Sequence, residues 1–136
     1  LLLVDTNVFL AAADRRSARH EDCASLLRAN RHELATTVPV VAESSWLILD
    51  RLGTRPQAEF VRTVSSGGLE AVELTTPDWQ RCVELIEGYA DLRLDLMDAS
   101  LIAVAERLRL TTIATLDRRD FTVVRPRHVE AFELIP

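Results

Sequence analysis

Four acids stand far apart in the chain, at Asp5, Glu43, Asp98 and Asp117, and each occupies a position from which it could reach a shared site. Asp5 closes the apolar run Leu1-Leu2-Leu3-Val4, and Thr6 and Asn7, both good residues for a helix start, follow it. Asp117 lies two residues beyond an apolar stretch that ends near Thr115. Gathered together, four carboxylates repel one another, and some would keep their protons unless a counter-charge were present. A hard divalent cation such as Mg²⁺ supplies it, taking carboxylate oxygens while retaining several waters. It would also stabilise charge on a phosphodiester and activate an attacking water. Taken singly, each acid has a plainer role. Asp5 and Asp98 suit helix caps, Glu43 a solvated helix position, and Asp117 a turn residue paired with arginine.

The elements decide whether these acids meet. Residues 1–5 and 34–37 read as short buried strands, 69–74 and 111–115 as two more, and 132–135 as a final edge strand. Helical spacing runs through 8–13, 20–31, 39–52 with Gly53 as its stop, from Pro56 to Val64, from Pro77 to Ile86, and from Asp98 to Leu108. Residues 117–120 read as a turn. Strands alternating with helices predict an α/β sandwich around a central, mostly parallel sheet of four or five strands, in one domain spanning 1–136. Right-handed crossovers collect the strands' carboxyl ends on one side, where ligands bind at the point of reversed strand order. On that topology Asp5 and Asp117 share a crevice if their strands are neighbours. Asp98 starts the helix leading into the second of them, and Glu43 lies in the first turns of the helix after 34–37.

Composition narrows the chemistry. The 136 residues are 48% hydrophobic but only 5% aromatic, so aliphatic side chains must fill the core. No run approaches the ~18 apolar residues of a membrane span, and a cytoplasmic location is expected. The chain opens without Met, so its natural start is expected slightly upstream. Cys23 and Cys82 lack metal-ligand spacing and read as buried thiols of a reducing compartment. His20, His32 and His128 are scattered, which does not suit zinc. The net charge of −5 argues against a nucleic-acid partner. Yet all sixteen basic residues are arginine, which suits bidentate phosphate contacts. Without lysine there is no Schiff base, phosphate-loop lysine or Ser–Lys nucleophile.

The ordered segments Leu2-Leu3-Val4-Asp5-Thr6-Asn7, Glu43, Asp98-Ala99-Ser100 and Thr115-Leu116-Asp117-Arg118-Arg119-Asp120-Phe121 resemble the motifs of PIN domains, and in particular of VapC-type toxins. The resemblance spans nearly the whole chain. It implies Mg²⁺ or Mn²⁺, endonucleolytic cleavage of RNA, and a site of Asp5, Glu43, Asp98 and Asp117, with Asp5 and Asp98 as the metal ligands. Thr6, Asn7 and Thr115 would orient carboxylates or water around them. Of two neighbouring acids, Asp98 is preferred to Asp95, because the acid before Ala-Ser carries the family's function. Asp120 is expected chiefly to pair with an arginine. The implied reaction is in-line attack on phosphorus by a metal-activated water, with no histidine acid–base pair. The resemblance further implies a small antitoxin that lays a helical segment into an apolar groove, and a homodimer is expected. Trp46-Leu47-Ile48-Leu49, with Phe60 and Val61, would line that groove or a dimer interface, or be buried in the domain's own core.

RNA backbone contacts are expected from Arg15, Arg16 and Arg19 and from Arg118, Arg119, Arg125 and Arg127. Competing readings fare worse. A receiver domain would bring a lysine to its acidic pocket. A haloacid-dehalogenase-like phosphatase would place a second Asp two residues after the first, where this chain has Asn7. A PIN nuclease of RNA processing without an antitoxin, and an inactive PIN-fold binding module, are the remaining alternatives.

Overall fold

A computed structural model describes residues 1–136. Five strands, β1 (Leu2–Val4), β2 (Leu34–Thr37), β3 (Glu70–Val72), β4 (Thr112–Ala114) and β5 (Glu133–Ile135), form one sheet. Its order is β3-β2-β1-β4-β5, and every pairing is parallel. Strand order therefore reverses between β1 and β4, where Leu3 pairs with Ile113 and Val4 with Ala114. The expected α/β sandwich is present, with all five strands parallel and β5 at an edge.

Seven helices surround the sheet: α1 (Thr6–Ala13), α2 (His20–Ala29), α3 (Val38–Leu52), α4 (Thr54–Ser65), α5 (Thr76–Gly88), α6 (Leu96–Leu108) and α7 (Arg118–Val123). A 3₁₀ turn, Ala90–Leu92, joins α5 to α6. Helix α1 packs on α2 and α3, and α3 on α4, whereas α5 packs on α6. Right-handed crossovers place these two groups on opposite faces of the sheet. Between α3 and α4 a single residue, Gly53, turns the chain at φ +100°, a conformation that L side chains resist.

The core is aliphatic, as the composition requires. Leu3, Val4, Leu101, Ile102 and Ile113 are completely buried, and in α6 every residue from Asp98 to Ala105 is buried. Such a helix lies against the sheet on one side and α5 on the other, so its amphipathic stripe disappears. Cys23 and Cys82 are buried free thiols.

Local chemistry corrects three element boundaries. Asp5 itself caps α1, its carboxylate accepting from the Thr6 amide, so the helix begins at Thr6 rather than Val8. Asp95 caps α6 by accepting from the Asp98 amide, so Asp98 sits inside the first turn. Residues 117–120 are not a simple turn. Asp117 caps a helix of six residues, α7, that the complete burial of Phe121 holds in place.

Candidate active site

The crevice at the β1/β4 reversal is built from three helix starts. Asp5 precedes α1, Asp95 and Asp98 open α6, and Asp117 and Asp120 open α7. Two of these starts follow one design. In Asp95-Leu-Met-Asp98 and Asp117-Arg-Arg-Asp120 the first acid accepts the amide of the second, at 2.9 and 3.4 Å. The second carboxylate is left free of capping duty. One oxygen each from Asp98, Asp117 and Asp120 lies within 4.8 Å of the others.

Asp5 is held at both oxygens. The Thr6 amide donates to one at 2.7 Å and the Thr115 hydroxyl to the other at 2.8 Å. The Thr115 oxygen in turn accepts the Asp117 amide at 3.0 Å, so one buried hydroxyl couples the ends of β1 and β4. The Asn7 side-chain oxygen accepts the Leu116 amide at 3.0 Å and ties α1 to the same segment. Glu43 stands one step away. It accepts the Thr6 hydroxyl at 2.8 Å from α3, and its carboxylate is not part of the Asp98–Asp117–Asp120 cluster.

Sequence reasoning missed the pair that fixes α6 against β2. Ser100 donates to the Met97 carbonyl at 2.7 Å, so its single hydroxyl proton is spent. The 2.6 Å contact with Thr37 must therefore be a donation from Thr37 to Ser100. The end of β2 thereby sets the position of Asp98. Two consecutive threonines closing a short strand were the available signal.

The site is starved of positive charge. Burial is the main reason that the Asp98 carboxyl is pushed up to about 8, and the charges of Asp5, Asp95, Asp117 and Asp120 add to it. Burial likewise raises Asp5 to about 6, although its bonds from Thr115 and Thr6 oppose the shift. Asp120 is raised by burial and by Asp117. The Asp98 carboxylate accepts no hydrogen bond, and the one guanidinium in contact with these acids, Arg119, lies 3.7 Å from Asp120 and is exposed. Three helix starts lend partial positive charge worth ~0.3–1 kcal/mol each. That does not offset a buried carboxylate. The donor set is all oxygen, which fits a hard divalent cation held by Asp98, Asp117 and Asp120 with Asp5 beside them.

The arginines expected at the RNA are mostly occupied. Arg16 pairs with Asp14, Arg19 with Asp22 and Arg127 with Glu84. Arg118 donates to the carbonyls of Leu134 and Pro136, and Arg125 to that of Glu130. Sequence proximity to an acidic motif did not reveal these partners. Arg15 instead lines a separate groove, and Arg119 alone of the set faces the acids.

An open parallel sheet with a cation-poor acidic crevice at its reversal point defines an α/β protein equipped for metal-assisted chemistry. Residues 2–125 match the model of the PIN domain, and the chain belongs to that family. Ribonuclease VapC26 of Mycobacterium tuberculosis (strain ATCC 25618 / H37Rv) is 28% identical over 135 residues, covering 99% of this chain and all of the relative. Among solved structures, M. tuberculosis VapC20, described as a sarcin-ricin loop cleaving toxin, superposes with a TM-score of 0.83 at 20% identity, covering 96% of this chain and 99% of that one. A toxin–antitoxin complex from Klebsiella pneumoniae gives 0.71 at 19% identity, covering 100% and 97%.

Proposed function

We propose that the chain is a metal-dependent endoribonuclease and the toxin of a toxin–antitoxin pair. The observation that carries this reading is a buried carboxylate, Asp98, that no protein hydrogen-bond donor and no basic side chain reaches, set among further acids at the sheet's reversal point. A PIN family match over residues 2–125 and a ribonuclease relative spanning the whole chain support the same conclusion.

Asp5 and Asp98, expected as the metal ligands, would be joined by Asp117 and Asp120 in holding Mg²⁺ or Mn²⁺, since Asp98, Asp117 and Asp120 cluster. When bound, such a cation polarises a phosphodiester and makes water a better nucleophile at neutral pH. The chain's own residues supply orientation. Thr115 fixes Asp5 through a hydroxyl that also anchors Asp117, and Asn7 holds the intervening Leu116. Thr6 directs Glu43 toward the crevice edge. Histidine chemistry is not on offer, because His20 and His32 line a different groove and His128 is bound to the Leu110 carbonyl.

The antitoxin reading rests on that groove. It has a volume of about 900 Å³, with Phe9, Leu27, Ile48 and Phe60 lining it and Arg28 and Arg31 among its cationic groups. Of the segment expected to form it, Ile48 and Phe60 contribute, whereas Trp46, Leu49 and Val61 are exposed. An amphipathic helix laid into an apolar groove is a recurrent mode of recognition. The homodimer is proposed on the exposed stripe Trp79, Val83 and Ile86 of α5.

Purified protein should cleave RNA with Mg²⁺ or Mn²⁺, and chelator should stop it. Asp5→Asn and Asp98→Asn should abolish cleavage. Equal cleavage by wild type and both variants would overturn the site, and no cleavage even with Mn²⁺ would favour the inactive binding module. Growth arrest relieved by co-expression of a gene adjoining the natural one would distinguish a toxin from a nuclease of RNA processing.

A further inference from the structure

Beside the acidic crevice, on the far side of Asn7 and Leu116, a cleft of about 270 Å³ lies between α1 and the last turn of α3. Asn7, Leu10 and Asp14 form one wall, spaced three and four residues apart along one side of α1, with Asp14 as its C-cap. Arg51 and Leu52 form the opposite wall, and Leu116 closes the end nearest Asp117. The two helices run alongside each other. Thr6 meets Glu43 at the crevice, and Asp14 and Arg51 each lie eight residues further on. From Asn7 to Asp14 the cleft extends ~10 Å along the helix axis.

Its polar groups have capacity left over. Asn7 uses its side-chain oxygen on the Leu116 amide, so both protons of its NH₂ are unspent. One oxygen of Asp14 takes the Arg16 amide and Nε, and its other oxygen accepts nothing. Arg51 is exposed and forms no ion pair, unlike most of the arginines described above. The cleft thus pairs leucine walls with a carboxylate acceptor and a guanidinium at its far end and an amide donor, Asn7, at the end next to the acids. Sequence-specific RNA readers splay a base out of single-stranded RNA, hold its face against flat or apolar groups and hydrogen-bond its edges; here leucines take the place of an aromatic platform.

We propose that this cleft takes the base of a nucleotide flanking the scissile phosphate, and that the base is guanine. The inference rests on the ribonuclease reading of the acidic crevice. Guanine is the base whose Watson–Crick edge sets two adjacent N–H donors side by side, and a carboxylate matches that pair: the open oxygen of Asp14 takes one, and the oxygen it shares with the exposed Arg16 takes the other. Its O6 and N7 form the acceptor pair that arginine reads, and Arg51 and the Asn7 amide both donate. Leu10, Leu52 and Leu116 cover the ring. Arg51 and Asp14 are specificity residues here, and the metal is left to the acids.

Two measurements test the proposal. Single-stranded RNAs carrying each base in turn on either side of the cut are compared for cleavage, and dye-labelled G- and A-containing RNAs are compared by anisotropy in chelator. Wild type should prefer guanine on one side of the cut and in binding. Arg51→Ala and Asp14→Asn should reduce that preference roughly ten- to hundredfold, and Leu10→Trp, which fills the cleft, should remove it. All three should keep the thermal shift that Mn²⁺ produces, which shows an intact fold and acidic site. Absence of a guanine preference in wild type, or its survival in all three variants, overturns the proposal. If wild type cleaves no RNA, the nuclease reading fails, while the anisotropy comparison still decides the cleft.

Discussion

Replacing Asp98 by Asn should abolish activity and yet make the metal-free protein more stable. The Asp98 carboxyl moves from 3.8 to about 8 on folding, because the fold buries it among other acids. A carboxylate raised in this way binds its proton more tightly in the native state than in the unfolded one. The contribution of Asp98 to stability is therefore most favourable at low pH and falls as pH rises from about 4 to about 8, then levels off. At pH 7 the interval from 3.8 is about 3 pH units, or about 4 kcal/mol at 1.36 kcal/mol per unit. Water entry and side-chain relaxation reduce this, so a gain on the order of 2 kcal/mol is expected for Asp98→Asn. In a chain of this size that is a rise in Tm of roughly 5–10 °C. The assay is thermal unfolding in chelator, wild type against variant, from pH 5 to pH 8.5. The two curves should converge toward acid pH and separate toward pH 8. A variant less stable than wild type at pH 8, or a difference independent of pH, would refute the electrostatic account of the crevice.

Three further outcomes follow from the same structure. At one fixed concentration Mn²⁺ or Mg²⁺ should raise the Tm of wild type more at pH 8 than at pH 6, reaching about 2.7 kcal/mol of stability where the metal is at a hundredfold excess over Kd, and Asp117→Asn should shrink that shift, as metal titration monitored by melting would show. Thr115→Val removes the hydroxyl that lowers the Asp5 pKa, so the acid limb of the pH–rate profile should move to higher pH and Thr115→Ser should restore it. Arg81 and Glu106 form a two-bonded pair at 2.7 and 3.1 Å with most of both side chains buried; Glu106→Ala should cost about 3 kcal/mol in denaturant unfolding, far from the acids.

How much was legible differs from residue to residue. Asp5 could be read because a buried strand that ends in Asp before a helix can point that carboxylate only at the strand's carboxyl end. Asp117 could be read by the same reasoning, once β1 and β4 were taken as neighbours, and Asp98 from the start of the helix leading into β4 together with the Ala-Ser that follows it. Asp120 could not. Residues 118–123 include β-branched Thr122 and Val123, whose helix propensity is poor. The helix exists because Asp117 caps it and Phe121 is buried beneath it. Only that turn of helix carries Asp120 round to Asp98.

The sequence by itself determined the α/β alternation, the strand ends and the types of acid placed on them, because hydrophobic period, caps and glycine stops act over a few residues. Tertiary structure decided the remainder. It set Asp95 to cap α6 so that Asp98 reaches the crevice, it brought Asp120 there beside Asp117, which caps α7 and faces the crevice at once, and it placed Glu43 on Thr6 outside the three-acid cluster. It engaged most of the arginines in contacts with carboxylates and carbonyls, and Arg51, beside the cleft, is among those it left without one. The physical reason is range. Propensity is local, but burial, charge repulsion and the sharing of one hydroxyl by Asp5 and Asp117 depend on groups 110 residues apart.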